Sequence, residues 1–129
     1  MRTMNPQDYV WGRTCSVIAK FTLGGRTCEF LDFFYPEDLG RIDPLEILAR
    51  GRNSHASMDP KAFEFFWRHR FEVPGDYKKY KVGFLETEGL PGGVKFVYWD
   101  AVARETFSQS LAGGRDWEKT ERIVLVRFS

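Results

Sequence analysis

Two β-rich runs between Cys15 and Tyr35 are separated by the dipeptide Gly24-Gly25. A pair of glycines between such runs predicts a β-hairpin, because glycine readily adopts the positive φ angles that tight hairpin turns require. A two-residue loop at this position pairs Lys20 with Glu29, which is a favourable cross-strand pair of opposite charges. The hairpin is the strongest local prediction that the chain offers.

Two helix-start signals follow the hairpin. Asp43-Pro44, with Glu46 close behind, combines an N-cap, a proline in the first turn and a capping-box partner. The helix that it predicts ends at Gly51, which is followed by a polar loop. Asp59-Pro60 repeats the start signal and predicts a second short helix.

The sequence of residues 63–72 fits two structures. Phe63 and Phe66 have helical spacing, whereas residues 65–73 also alternate between two sets of positions. Alternation that ends at Pro74-Gly75 is typical of a strand running into a tight turn. We therefore predict a helix to about residue 65 and a strand after it.

The later pattern predicts strands over residues 77–88, 94–99 and 122–128 and a helix over residues 100–111. Together these elements predict a single α+β domain spanning residues 1–129, with residues 1–12 interpreted as a flexible N-terminal segment. Its architecture is expected to be a curved antiparallel sheet of about six strands, with two or three short helices packed on one side.

Composition supports one folded domain and argues against a membrane or secreted protein. The 129 residues are 43% hydrophobic and 29% charged, which is ordinary for a globular domain. No apolar run approaches the roughly 20 residues that span a bilayer, and the N-terminus lacks the apolar core of a secretory signal. The two cysteines are expected to be reduced thiols, which favours a cytoplasmic location.

Three polar residues are expected among apolar side chains, where a titratable group becomes suited to acid–base catalysis. They are Asp32 on the second strand of the hairpin, Glu86 opposite Phe96 in neighbouring strands, and His69 beside aromatic residues. A structural role, at the sheet rim or in a hydrogen bond, is the alternative for each. The hairpin register places Asp32 opposite Val17.

Aromatic residues are unusually frequent, at 16% of the chain. They pack in the cores of sheets and also line ligand pockets. The predicted sheet face that could bind a small molecule contains Phe30, Phe84, Tyr98 and Trp99. Core packing is the alternative, and a sheet with free edges makes a homodimer a further prediction.

Positive charge is concentrated in residues 50–81, which contain eight Lys and Arg against four Asp and Glu. Interleaved aromatic residues make this segment similar in composition to surfaces that bind single-stranded nucleic acid. The predicted anion-binding residues are Arg50, Arg52, Arg68, Arg70, Lys78, Lys79 and Lys81. A solvated hairpin that carries protective lysines is the alternative.

The sequence by itself does not specify a function. It favours a non-catalytic binding or interaction module, which uses an aromatic-lined sheet face or a homodimer interface. The alternatives are nucleic-acid or other anion binding through residues 50–81, and a small cofactor-free acid–base enzyme. No metal is expected, because the spacing of His55 and His69 fits no zinc motif.

Overall fold

The computed structural model describes residues 14–57, 59–85, 93–99, 104–110 and 117–129. Within these ranges lie two α-helices, α1 (Pro44–Asn53) and α2 (Pro60–His69). The strands in chain order are β1 (Ser16–Leu23), β2 (Arg26–Asp32), β3 (Arg41–Ile42), β4 (Lys81–Leu85), β5 (Gly93–Trp99), β6 (Arg104–Ser110), β7 (Trp117–Glu118) and β8 (Ile123–Phe128). The predicted N-terminal segment over residues 1–12 lies outside the described residues.

Six of the described strands form one sheet in the order β1-β2-β8-β4-β5-β6, and β3 pairs with β7 separately. The mixed α+β class is therefore confirmed. Neighbouring strands are antiparallel as predicted, except β4 and β8, which are parallel and which the predicted antiparallel sheet did not include. A parallel pair requires a long crossover between its strands, and local sequence patterns do not reveal one. Neither described helix is long and apolar enough to cross a membrane.

Strand β8 shows that both faces of the sheet are covered, because its first four residues are all buried. Successive side chains of a strand point to opposite faces. Val124 and Val126 join the apolar cluster beneath α2, whereas Ile123 and Leu125 join the cluster formed with α1, β3 and β7. The prediction that the helices pack on one side is wrong, since a strand that is apolar throughout needs apolar partners on both faces.

The β1–β2 pairing follows the predicted register from the turn as far as Ala19, which pairs with Phe30. An irregularity between Val17 and Ala19 then shifts the pairing by one residue. Such a bulge places two residues of one strand opposite one residue of the other. Asp32 consequently lies opposite Ser16 and not opposite Val17.

The predicted strand over residues 65–73 is wrong, because α2 continues to its last residue and a 3-10 turn (Arg70–Glu72) follows. The side chain of Asp59 caps the helix by accepting a backbone hydrogen bond of 2.8 Å in the first turn. Phe63 and Phe66 are buried against the sheet at helical spacing. Burial of this face stabilises the helix, and the two-residue alternation has no structural counterpart.

The helix predicted over residues 100–111 is wrong in the part that the structure describes, since Arg104–Ser110 forms β6. Strand β6 pairs antiparallel with β5, from Gly93 opposite Ser110 to Trp99 opposite Arg104. The neighbouring strand satisfies backbone groups that a helix would satisfy internally. Strand propensity depends on such a long-range partner, which the local pattern does not show.

The register between β4 and β5 also differs from the prediction. Gly83 pairs with Phe96 and Phe84 pairs with Lys95, so the predicted pairing of Glu86 with Phe96 is wrong. A shift by an odd number of residues exchanges the faces of a strand. Phe84 accordingly lies in the cluster beneath α2, and Phe96 lies in the cluster on the opposite face.

The tip of the β1–β2 hairpin is held against the end of α2. The backbone N–H of Gly24 donates to Glu72 Oε1 at 2.9 Å, and Glu72 Oε2 lies 2.7 Å from His69 Nδ1. The bond from Gly24, followed by the bond with His69, holds the pKa of Glu72 below its ordinary value. A Cβ atom at Gly24 would lie only 2.7 Å from ring atoms of both His69 and Phe65.

We expect Gly24→Ala to lower the free energy of unfolding by about 2 to 3 kcal/mol, because it adds a steric clash to an unfavourable positive φ. Gly25→Ala is the matched control, since Gly25 also has a positive φ but no atom lies within 4 Å of its Cβ position. Its cost is about 1 kcal/mol, from the backbone alone. Urea denaturation measures the free energy of unfolding of both variants. Equal losses for the two would show that His69 and Phe65 do not exclude a Cβ atom at position 24.

Candidate functional site

A cavity of about 420 Å³ lies where β2 ends and where β4 and β8 begin. We call it the end cavity. Its charged lining consists of Asp32, Lys79, Lys119 and Arg122. Apolar and aromatic side chains complete it, namely Ile18, Phe34, Tyr80, Ile123 and Val124. Its volume lies within the range of roughly 300 to 1,000 Å³ that is typical of small-molecule sites.

One 3-10 turn, Lys119–Glu121, positions two of the three cations. Arg122 ends this turn, and its backbone N–H donates to Lys119 O at 3.1 Å. Arg122 has a left-handed backbone with φ 57°, which is unfavourable for a residue with a Cβ atom. The turn is anchored to the separate two-stranded sheet, because Lys119 N–H donates to Gly40 O at 2.8 Å.

The third cation comes from the segment just before β4. Tyr80 closes a backbone turn by donating its N–H to Tyr77 O at 3.3 Å, and its ring packs edge-on against Phe30. The Lys79 ammonium lies 5.4 Å from the Tyr80 ring centroid. Lys81 N–H donates to Arg122 O at 3.0 Å, which ties the two cation-bearing segments together.

Among the described residues, Asp32 contributes the only carboxylate that lines the cavity. Its Oδ1 accepts a hydrogen bond of 3.0 Å from Phe34 N–H, which is an Asx turn at the end of β2. The turn and the β1 bulge hold the half-buried side chain at the end of the sheet. The second oxygen, Oδ2, has no hydrogen-bond partner among the described residues.

The end cavity has an excess of positive charge. Lys79, Lys119 and Arg122 are all exposed, and none forms an ion pair with an acidic group in the part of the chain that the structure describes. Asp32 is not within ion-pair distance of any of the three. Three cations and one carboxylate therefore face the same space without neutralising one another.

Arg50, predicted to bind anions, belongs instead to the protein core. Its side chain is 1% exposed, and its guanidinium donates to both oxygens of Asp38, to Glu46 and to Phe33 O. Burial alone would lower the pKa of Arg50, but the hydrogen bond to Asp38 and the charge of Glu46 outweigh this effect, so the pKa lies above its ordinary value. Arg50 is therefore a permanently charged structural group.

The other predicted cations do not form one surface with Lys79. Arg70 packs over Trp67 at 3.8 Å and over Phe71 at 4.4 Å, and Arg68 is exposed on α2. Because no β-hairpin forms at Pro74-Gly75, Arg68 and Arg70 do not lie across from a lysine-bearing strand. Arg52, Lys78 and Lys81 do not line the end cavity.

The predicted aromatic binding face is a packed core. Phe30 and Phe84 are fully buried beneath α2, and Trp99 packs against the same cluster. The Trp99 indole N–H is buried and has no hydrogen-bond partner within the described ranges. Tyr98 lies on the same strand as Trp99 and is half-buried. Phe30, Phe84 and Trp99 fill the space between α2 and the sheet, whereas Tyr98 follows β5 onto the opposite face. None of the four lines the end cavity.

The three candidate acid–base groups do not come together. Asp32 lies at the end of β2, whereas His69 contacts Gly24 at the hairpin tip, about 25 Å away at the rise of an extended strand. His69 is bonded to Glu72 and packs at a tilted angle against Phe65, which is a structural role. Glu86 lies outside the described residues.

Both cysteines are free thiols. Burial raises the pKa of Cys28 to about 12, so this core thiol remains protonated and unreactive. Burial also raises the pKa of Cys15, whose Sγ contacts Arg50 O at 3.7 Å. Neither residue lines the end cavity.

A second cavity of about 600 Å³ lies between α2 and the opposite end of β8. Its cations Arg26, Lys61 and Arg68 are accompanied by the carboxylates of Asp59 and Glu64. The Arg26 guanidinium also lies between 5 and 5.5 Å from the rings of Phe65 and Phe128. This space is closer to charge balance than the end cavity.

Sequence reasoning missed Lys119 and Arg122, which lie outside the basic segment. The available signal was that cations immediately precede two strands, β4 and β8. That signal becomes informative only when the two strands are known to be parallel neighbours, because parallel strands begin at the same edge of a sheet.

Comparison with known proteins identified no family model that matches this chain, and no curated protein or solved structure with significant similarity to it. Among the described residues, no group of three or more His, Cys, Asp or Glu is arranged to hold a metal ion. The class is thus defined by architecture alone, a mixed α+β domain with helices on both faces of its sheet.

Proposed function

We propose that this protein is a non-catalytic binding module that holds a small anionic ligand in the end cavity. The observation that carries the proposal is a group of three cations, Lys79, Lys119 and Arg122, around one space of ligand size. None of them is paired with a carboxylate of the described ranges. Charge-assisted hydrogen bonds from such groups are the strong polar contacts of anion sites. The two free thiols fit the reducing cytoplasm in which we place this activity.

The structure of the site also supports binding over catalysis. An acid–base mechanism needs two groups near one reacting centre. Of the groups that the sequence singled out as acid–base partners for Asp32, His69 is at the far end of the hairpin. The left-handed backbone at Arg122 is consistent with a functional demand, because strained residues persist where a site requires them.

Binding of inorganic phosphate and pyrophosphate, measured by isothermal titration calorimetry at low salt, tests the proposal. We expect Lys119→Ala to weaken binding about threefold, and Lys119→Ala combined with Arg122→Gly to weaken it at least tenfold. Arg122→Gly removes a cation and relieves the positive φ, so the free energy of unfolding should stay constant or rise by up to about 1 kcal/mol. A loss of affinity would then not result from unfolding.

Lys61→Ala is the matched control, because Lys61 is an exposed lysine that lies outside the end cavity. It changes net charge by the same amount as Lys119→Ala and should leave the affinity unchanged. An equal effect of both substitutions would indicate general electrostatic attraction and contradict a site. Absence of phosphate and pyrophosphate binding to the wild type at low salt would also refute the proposal.

A second candidate function is single-stranded nucleic-acid binding. It is favoured by Arg70, which lies between the rings of Trp67 and Phe71, with Phe71 62% exposed. Aromatic rings with adjacent cations are the usual platform for stacking bases. Fluorescence anisotropy with a labelled oligonucleotide distinguishes the two functions, because Phe71→Ala would weaken this binding and leave phosphate binding intact.

A further inference from the structure

The lining of the end cavity also indicates the chemical class of its ligand, an inference that rests on the proposed anion site. The relevant feature is the carboxylate of Asp32 within a cavity that is otherwise cationic. A carboxylate repels an anionic ligand and lowers its affinity, unless the ligand also donates a hydrogen bond to that carboxylate. Asp32 therefore needs an explanation that an anion alone does not provide.

Neither charge neutralisation nor a purely structural hydrogen bond explains both carboxylate oxygens of Asp32. The side chain does not neutralise the cations, because no ion pair joins Asp32 to Lys79, Lys119 or Arg122. Its structural bond to Phe34 N–H uses Oδ1, which leaves Oδ2 able to accept a hydrogen bond. The Asx turn fixes the carboxylate, so the acceptor is oriented before a ligand arrives.

Charge matching indicates what kind of anion fits. The described lining residues contribute three cations and one carboxylate, a surplus of about two positive charges, which a dianion balances and a zwitterion does not. A phosphate monoester carries about −1.5 to −2 charge at neutral pH. The donor that reaches Asp32 is then an uncharged group, and a hydroxyl meets this requirement without altering the charge balance.

We infer that the ligand of the end cavity is a hydroxylated phosphate monoester, such as a polyol or sugar phosphate. The phosphate faces Lys79, Lys119 and Arg122, and a hydroxyl donates to Asp32 Oδ2. The volume of about 420 Å³ accommodates a compound of this size. The apolar side chains that line the same cavity, including Tyr80 and Phe34, contact its carbon skeleton.

The test compares two phosphate monoesters of the same charge and carbon number, glycerol 1-phosphate and n-propyl phosphate, by calorimetry on wild type and Asp32→Asn. Asparagine keeps the shape of the side chain and its bond to Phe34 N–H. We expect wild type to bind glycerol 1-phosphate about tenfold more tightly. Asp32→Asn should bind n-propyl phosphate more tightly than wild type does and reduce the preference to threefold or less.

Asp32→Ala is a second variant that provides no acceptor at this position, and thermal melts establish whether it is folded. Equal wild-type affinities for the two esters, or a preference that both Asp32 variants retain, would overturn the inference and leave the anion site standing. If neither ester nor inorganic phosphate binds, the proposed function fails, and the inference fails with it. A preference that disappears in both variants supports the assignment.

Discussion

Replacing Arg50 with alanine is expected to lower the free energy of unfolding by about 3 to 5 kcal/mol, the usual cost of breaking a buried ion pair by removing one partner. The guanidinium is almost completely buried and connects α1 to the turn after β2 through Asp38 and Phe33 O. Its removal takes the Arg50 hydrogen bonds from Asp38 and Glu46, which are only 10% and 18% exposed. The loss therefore consists mainly of broken charge-assisted hydrogen bonds in a buried network.

Arg52→Ala is the matched control for this prediction, because Arg52 lies on the same helix two residues later and is exposed. Its effect should stay within about 0.5 kcal/mol, as is usual for surface substitutions. Chemical denaturation followed by circular dichroism measures both variants. A loss below about 1 kcal/mol for Arg50→Ala would mean that Arg50 is not the structural centre of this network.

Phe30→Ala should be similarly destabilising, by about 3 to 5 kcal/mol, because the cavity that it leaves lies in the centre of the packed core. Phe30 is fully buried, and its ring lies between 5.1 and 6.3 Å from the rings of Phe21, Phe66, Tyr77 and Tyr80. Phe30→Leu retains most of the apolar volume and should cost about 1 to 1.5 kcal/mol. Thermal and urea denaturation measure both.

This prediction separates the two roles that sequence allowed for Phe30. Truncating a residue that lines an open ligand site leaves little new cavity, whereas truncating a core residue leaves a large one. A loss below about 1 kcal/mol for Phe30→Ala would return the aromatic face to consideration as a binding surface. In folded Phe30→Leu, phosphate affinity should change little, since Phe30 does not itself line the end cavity and adjoins it through Tyr80 and the Val124 cluster.

Local chemistry explains the elements that were predicted correctly. The Gly24-Gly25 turn, the cap at Asp59-Pro60 and the strand predicted over residues 122–128 each depend on interactions between residues close in sequence. The pairing of Lys20 with Glu29 follows directly from the turn. Beyond Ala19 the register depends on a bulge, and no local signal in the hairpin predicted it.

Errors arose where two local patterns competed or where a distant partner decided the structure. Residues 65–73 satisfied both helical and strand periodicities, and burial of Phe63 and Phe66 against the sheet stabilised the helix. Residues 104–110 became a strand because β5 offered an unpaired edge. In both cases the deciding interaction is with a residue far away in the chain.

The residues of the end cavity were also predicted only in part from the sequence. Sequence indicated that Asp32 lies near the end of a strand and that Lys79 belongs to a basic segment. It did not bring them together, and it grouped Lys79 with Arg50, which tertiary packing placed in the core. Lys119 and Arg122 joined the site only because β8 lies between β2 and β4.

Neighbouring residues were enough to specify the β1–β2 turn, the start of each helix and the strand state of residues 123–128, since turns, caps and side-chain periodicity are local properties. The tertiary structure alone decided strand order, the two-sided covering of the sheet and the composition of the end cavity. These features depend on which distant segments pair, and that choice is made by the total burial and hydrogen bonding of the whole domain.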